Sequence, residues 1–137
     1  MKNKLKNQKI IVDGIKFDSR AEARRYGQLL LLLKAGEISD LKLQKVYELI
    51  PAQYEYIPTG KIFARGERKG QAEYKRVTIE RPVLYIADFA YQTKNGKTVV
   101  EDVKGYRDTN SAPYAKFVLK RKLMLWRYGI RVKEVKG

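Results

Sequence analysis

The stretch VLYIADFAYQTKNGKTVVEDVK, residues 83–104, decides how this chain is read. It holds two apolar runs, Val83–Tyr91 and Thr98–Val103, separated by Lys94-Asn95-Gly96. Runs of this kind, rich in β-branched and aromatic residues, read as strands, and the turn residues join them into a hairpin. Each run carries an acid inside it, Asp88 in the first and Asp102 in the second. Burying a carboxylate is costly unless it is paired or binds a metal ion, so these two residues are the informative ones.

Register decides whether they meet, because strand side chains alternate between faces. A two-residue loop, Asn95-Gly96, pairs Lys94 with Lys97, sets Asp88 against Val103 and turns Asp102 to the other face. A three-residue loop, Lys94-Asn95-Gly96, pairs Thr93 with Lys97 and sets Asp88 directly opposite Asp102. Gly96 fits the left-handed position that ends such a loop. In that register Lys104 lies opposite Ile86 on the face of the two acids, and Glu101 faces away. Opposed carboxylates repel unless something positive lies between them. Lys104, an arginine or a divalent cation can fill that role. An all-oxygen donor set favours Mg²⁺ or Mn²⁺.

Working outward, Lys9–Val12 and Ile15–Phe17 flank Asp13-Gly14, a strong hairpin signal. Residues 1–8 form a polar, basic arm, expected to be flexible, ahead of a single domain over residues 9–137. Ser19-x-x-Glu22 fits a capping box, and the spacing predicts a helix from about Arg20 to Ala35, stopped by Gly36. Tyr26, Leu29, Leu30 and Leu33 give its apolar stripe. Glu22 reads two ways: as the capping acid, or as the start of the 22, 26, 29, 33 stripe, aimed at the sheet. Leu43–Ile50 reads as a strand ending at Pro51, in which Gln44 reads as simple strand polarity, with membership of the site as the alternative.

Residues 52–80 are polar and basic, with glycines at 60, 66 and 70; they suggest a long excursion, an extended hairpin with a mobile tip being one form. A second helix is expected from Ser111-Ala112-Pro113 to Gly129, with Tyr114, Phe117, Val118, Leu125 and Tyr128 as its apolar stripe. Gly105–Asn110 reads as a loop and Ile130–Val135 as a last strand. The order is βαβββαβ-like, an α/β (α+β) chain with a central mixed sheet flanked by helices.

Composition narrows the chemistry. The chain has 137 residues, 30 Lys or Arg against 15 Asp or Glu, a net charge of +15, and neither Cys nor His. That removes disulfides, thiolate zinc sites, Ser-His-Asp triads and histidine-based nucleases. With 44% hydrophobic residues the chain is expected to fold, and its charge points to a polyanionic partner, nucleic acid ahead of a membrane surface. The basic N-terminus leads into no apolar signal region, and the run Leu29–Leu33 is too short to span a bilayer. A cytoplasmic protein without membrane attachment is the simplest expectation.

Asp88, then Asp102-Val103-Lys104 on the next strand, with Glu22 on a preceding helix, resembles the PD-(D/E)XK nuclease superfamily. Ala87 stands where that motif usually has Pro. The chain also resembles a family of small phage and prophage proteins of unknown function, and is similar to phage endonucleases that resolve Holliday junctions. The matching stretches are Phe17-Asp18-Ser19-x-x-Glu22, Tyr85–Tyr91, Val100–Gly105 and Lys120–Leu123. The resemblance implies a restriction-endonuclease-like core, with Mg²⁺ (or Mn²⁺) held by Asp88, Asp102 and the Val103 carbonyl. It implies that Lys104 acts on the attacking water or the developing charge, and that Glu22 serves a second ion or its waters. It further implies 5′-phosphate and 3′-hydroxyl products, and a homodimer making two nicks.

Candidate phosphate contacts are Lys61, Arg65, Arg68, Lys69, Lys75 and Arg76 on the excursion and Lys116, Lys120, Arg121 and Lys122 on the second helix. No base-reading motif is evident, so branched DNA fits better than a fixed sequence. Tyr54, Tyr56 and Tyr74 suit core or rim packing, with base stacking as the alternative. The competing expectation is a non-catalytic nucleic-acid-binding module derived from a nuclease fold. A basic membrane-surface protein fits less well, because the charge is scattered.

Overall fold

The computed structural model describes residues 10–104 and 109–136. The expected arm, residues 1–8, and positions 105–108 of the expected loop lie outside the described residues. The chain runs β1 (Ile10–Val12), β2 (Ile15–Phe17), α1 (Arg20–Lys34), β3 (Ile38–Ile50), β4 (Gln53–Ile62), β5 (Ala72–Glu80), β6 (Val83–Thr93), β7 (Thr98–Lys104), α2 (Ala112–Tyr128) and β8 (Lys133–Lys136). It is a mixed α+β protein whose central four-stranded sheet has the order β3-β6-β7-β8. β6 and β7 are antiparallel, whereas β7 and β8 are parallel. Contacts gather the described residues into two compact units. One holds the residues up to Tyr47 and from Tyr85 onward; the other is Glu48–Leu84.

Local sequence accounts for most boundaries. Asp13 and Gly14 both have positive φ, 53° and 77°, which the tight turn between β1 and β2 requires. Ser19 Oγ accepts the Glu22 amide at 3.1 Å and starts α1. At the other end Gly36 is left-handed, and the Glu37 and Gly36 amides donate back to the Leu32 and Leu33 carbonyls. That pair of bonds closes the helix without leaving its last carbonyls orphaned. α2 begins on the Ser111 hydroxyl, with proline in its first turn, and ends at left-handed Gly129.

The first unit's core lies between α1 and one face of the β6–β7 hairpin: Phe17, Tyr26, Leu29, Ile38, Phe89 and Tyr91 are buried together. Leu33, expected on the α1 stripe, is exposed, because the stripe leaves the sheet before the last turn. On α2 the buried residues are Phe117 and Met124, while Leu125 and Tyr128 are exposed. Met124 follows Phe117 by seven residues, two turns on the same side, and Leu125 is rotated away from it. The last strand starts at Lys133 rather than Ile130, since Gly129 and the three residues after it form a loop first.

In the second unit, residues 52–80 form a long antiparallel hairpin of β4 and β5. Its tip is closed by backbone bonds, Phe63 amide to Gln71 carbonyl and Gly70 amide to Phe63 carbonyl among them. No helix among the described residues is long and apolar enough to cross a membrane.

Candidate functional site

The hairpin of β6 and β7 turns through the three-residue loop. Thr93 N–H donates to the Lys97 carbonyl, Gly96 N–H returns to Thr93, and Gly96 has φ 79°. The ladder pairs Gln92 with Thr98, Tyr91 with Val99, Ala90 with Val100 and Phe89 with Glu101. Pairing stops there, one position short of Asp88 and Asp102. Beyond it a side chain takes over: Val103 N–H donates to Asp88 Oδ2 at 2.7 Å. Asp88 therefore occupies the gap between the two strands.

Asp102 is buried and fully partnered. Its Oδ2 accepts the Tyr85 hydroxyl at 2.8 Å, and its Oδ1 is ion-paired with Lys104 Nζ at 2.9 Å. The ammonium of Lys104 also lies 3.9 Å from the centroid of the Phe117 ring on α2. A cation over an aromatic face loses freedom and is held toward the carboxylate. Burial and the adjacent Asp102 charge push the Tyr85 hydroxyl well above the usual phenol range, so it stays a donor.

Burial pushes Asp88 up to about 6, with the Asp102 charge adding to it. The Val103 amide, the Lys104 charge and a hydrogen bond with Gln44 pull the other way. Gln44 has φ 53°, a left-handed conformation inside a strand, which is unusual for a residue other than glycine. The structure thus brings Gln44 to the acid pair. Burial likewise pushes Glu22 up to about 7, and the charges of Asp88, Asp18 and Asp102 raise it further. Its backbone caps the helix, but among the described residues no bond returns from its carboxylate to the Ser19 amide. Glu22 is thus a partly buried carboxylate that feels the charges of Asp88 and Asp102.

Glu101 faces away, as its register requires, and its carboxylate is 0% exposed. Arg25 on α1 grips it through two bonds, Nε to Oε1 at 2.8 Å and Nη2 to Oε2 at 2.6 Å, and the Tyr91 hydroxyl adds a third. Burial would push Glu101 up, but these partners outweigh it and hold the group below the usual range. So the arginine that might have neutralised Asp88 and Asp102 instead serves the opposite face. This network is what the sequence concealed: Arg25 and Glu101 are 76 residues apart, and only the tertiary fold pairs them.

The donors available to a cation are hard oxygens, which fits Mg²⁺ or Mn²⁺. Among the described residues no three acidic side chains converge closely enough to cage an ion. The carboxylates are a facing pair with Glu22 coupled to it, and Mg²⁺ characteristically takes one or two carboxylates and fills its other positions with water and phosphate oxygens. Burial raises Asp88 first and the Asp102 charge adds to it, and a cation would relieve both. Asp88, Asp102 and the Val103 carbonyl are the groups that would hold it.

Of the expected phosphate contacts, Lys116 and Lys122 on α2 and Lys61, Arg65, Arg68, Lys69, Lys75 and Arg76 on the hairpin are exposed. Lys120 is half-buried, and Arg121 is bonded to Glu134 at 3.2 Å, so its charge is partly spent within the fold. A cavity of about 860 Å³, lined in part by Tyr91, Thr98, Tyr128 and Arg131, lies at the turn end of β6 and β7 and contains none of the acid-site residues.

A family model described as a protein of unknown function (DUF1064) matches residues 2–136. The chain belongs to the DUF1064 family. No curated protein and no solved structure matches it. The DUF1064 match spans both compact units, so the acid pair and the β4–β5 hairpin fall within one family unit.

Proposed function

We propose that this DUF1064 protein is a metal-dependent, structure-selective DNA endonuclease that hydrolyses phosphodiesters in branched DNA. One observation carries the reading: Asp88 of β6 reaches the Val103 amide of β7, next to Asp102, whose carboxylate holds Lys104. A bound Mg²⁺ would supply Lewis-acid stabilisation and make water acidic enough to attack near neutral pH. Asp88 and Asp102 would hold the ion, aided by the Val103 carbonyl. The attacking water forms the new P–O bond, the bond to the 3′ oxygen breaks, and that oxygen leaves with a proton. A 5′-phosphate and a 3′-hydroxyl result. Lys104 steadies the charge developing on the phosphate. Glu22, which burial raises to about 7, would serve a second ion or its waters, and Gln44 orients Asp88.

Exposed cations on α2 and on the β4–β5 hairpin support backbone binding without sequence reading. A branched substrate cut symmetrically calls for a homodimer, and such DNA is met in the cytoplasm of a bacterial host during phage or prophage recombination. The test compares a four-way junction, a flap and a linear duplex, with Mg²⁺ and with chelator. Metal-dependent nicking that favours branched DNA is expected. Equal cutting of linear duplex would refute the structural selectivity.

A second reading has its own support. Both oxygens of Asp102 are already partnered, by Tyr85 and Lys104. That suits a nuclease-derived binding module in which the acids are structural. Binding of junction DNA with no cutting under Mg²⁺ or Mn²⁺ would favour it. Under the enzyme reading, Lys104→Ala leaves junction affinity nearly intact and slows cleavage by about 100-fold or more.

A further inference from the structure

The β4–β5 hairpin separates its residues by face. Tyr54 pairs with Thr78, Tyr56 with Arg76 and Pro58 with Tyr74. Strand alternation puts paired residues and those two apart on the same side, so Tyr54, Tyr56, Tyr74 and Arg76 share one face. The opposite face takes Glu55, Glu73, Lys75 and the half-buried Ile57 and Val77. The tyrosines are not packed away: their exposures are 41%, 66% and 58% for Tyr54, Tyr56 and Tyr74. The Arg76 guanidinium lies 4.1 Å from the Tyr54 ring centroid, and between Tyr54–Pro58 and Tyr74–Thr78 this face carries no acid. At the tip, Lys61, Arg65, Arg68 and Lys69 face a single acid, Glu67.

We infer that this face binds single-stranded DNA, with its tyrosines stacking on unpaired bases and the tip cations holding the phosphates. Every base has a π-face, so stacking needs no sequence, and arginine over a ring extends the platform. Residues two apart on a strand are about 6.8 Å apart, twice the ~3.4 Å base-stacking repeat, so a base fits between successive rings. Exposed aromatics without that use would be an aggregation hazard on a two-stranded ribbon. The complementary charge favours a polyanion over a second copy of this chain, whose net charge is +15. The inference rests on the proposed DNA substrate and adds what part of a branch is gripped: its unpaired bases.

The test is fluorescence anisotropy with full-length protein in chelator. The probes are an oligo(dT) of about 20 nucleotides, longer than one such platform occupies, and a duplex of equal length. The double variant Tyr56→Ala/Tyr74→Ala should lose oligo(dT) affinity by about tenfold or more, with duplex affinity changed less than about twofold. Tyr56→Phe/Tyr74→Phe should bind oligo(dT) like the unaltered protein, since stacking needs the ring and not the hydroxyl. An unchanged thermal midpoint shows that the variants fold. Equal losses on both DNAs, no loss on oligo(dT), or a Phe variant as weak as the Ala variant would overturn the inference. No cleavage is read, so an inactive protein that binds oligo(dT) through its tyrosines sinks the nuclease reading alone.

Discussion

Removing the charge of Arg25 isolates the strongest buried interaction in the first unit. In Arg25→Met the aliphatic stem is largely kept, while Glu101, fully buried, loses two charge-assisted bonds and keeps the Tyr91 hydroxyl bond and the Lys133 charge. Stranding a buried charge in this way costs about 3–5 kcal/mol, a large part of the roughly 5–15 kcal/mol that stabilises a domain. With a urea m-value of about 2 kcal/mol/M, the unfolding midpoint should fall by about 2 M at pH 7. The pH dependence gives the argument its sign. In the unaltered protein Glu101 titrates below its ordinary value, so its stabilisation is present above the ordinary carboxylate range and is lost as pH falls through the depressed value. In Arg25→Met burial acts without the guanidinium and raises the same group, so protonation relieves the variant at acid pH. The gap between the two proteins should therefore narrow from pH 7 towards pH 4. Urea unfolding at both pH values reads it directly. A gap that is below about 1 kcal/mol at pH 7, or that does not change with pH, would refute the reasoning.

Other outcomes follow from the acid pair and the helix ends. Asp88 is raised to about 6, so its contribution to stability is present below the ordinary carboxylate range and lost as pH rises through about 6. Asp88→Asn in chelator should accordingly be more thermostable than the unaltered protein at pH 8, by an amount on the order of 1–3 kcal/mol, and the difference should vanish near pH 4. Added Mg²⁺ should raise the melting temperature of the unaltered protein and leave Asp88→Asn unmoved, as differential scanning fluorimetry would record. Gln44→Val places a β-branched residue at φ 53° and should cost about 1–3 kcal/mol in urea unfolding, whereas Gln44→Gly should be milder because only the bond to Asp88 is lost. Gly129→Ala, at the left-handed end of α2, should lower stability by about 1 kcal/mol by the same measure.

What the chain's own letters could reveal was what local chemistry decides. Asn95-Gly96 in a three-residue loop set the register, and with it the meeting of Asp88 and Asp102, because a turn type propagates along both strands. Ser19 and Gly36 marked α1 for the same reason: capping is a contact among near neighbours. The burial of Met124 in place of Leu125 was harder, since both are apolar and one helical step apart, and only the packing of Phe117 chooses between them. The β4–β5 hairpin is masked by its composition, for Thr59, Gly60 and the charged tip interrupt any period-two pattern. Gln44 stood out as a polar strand position, but nothing about glutamine announces a left-handed conformation. The Arg25–Glu101–Tyr91 network joins α1, β6 and β7, and no spacing rule reaches across them.

The account turns on the acid pair being a centre for phosphodiester hydrolysis, and the rate of nicking of a labelled four-way junction by Asp88→Asn under excess enzyme measures that most directly. This variant is expected to fold at least as stably as the unaltered protein, so lost activity cannot be lost structure. With Mg²⁺ the unaltered protein should nick the junction and Asp88→Asn should be slower by about 1,000-fold, at similar junction affinity. Nicking at the unaltered rate by Asp88→Asn, or nicking that persists in chelator, would contradict the account.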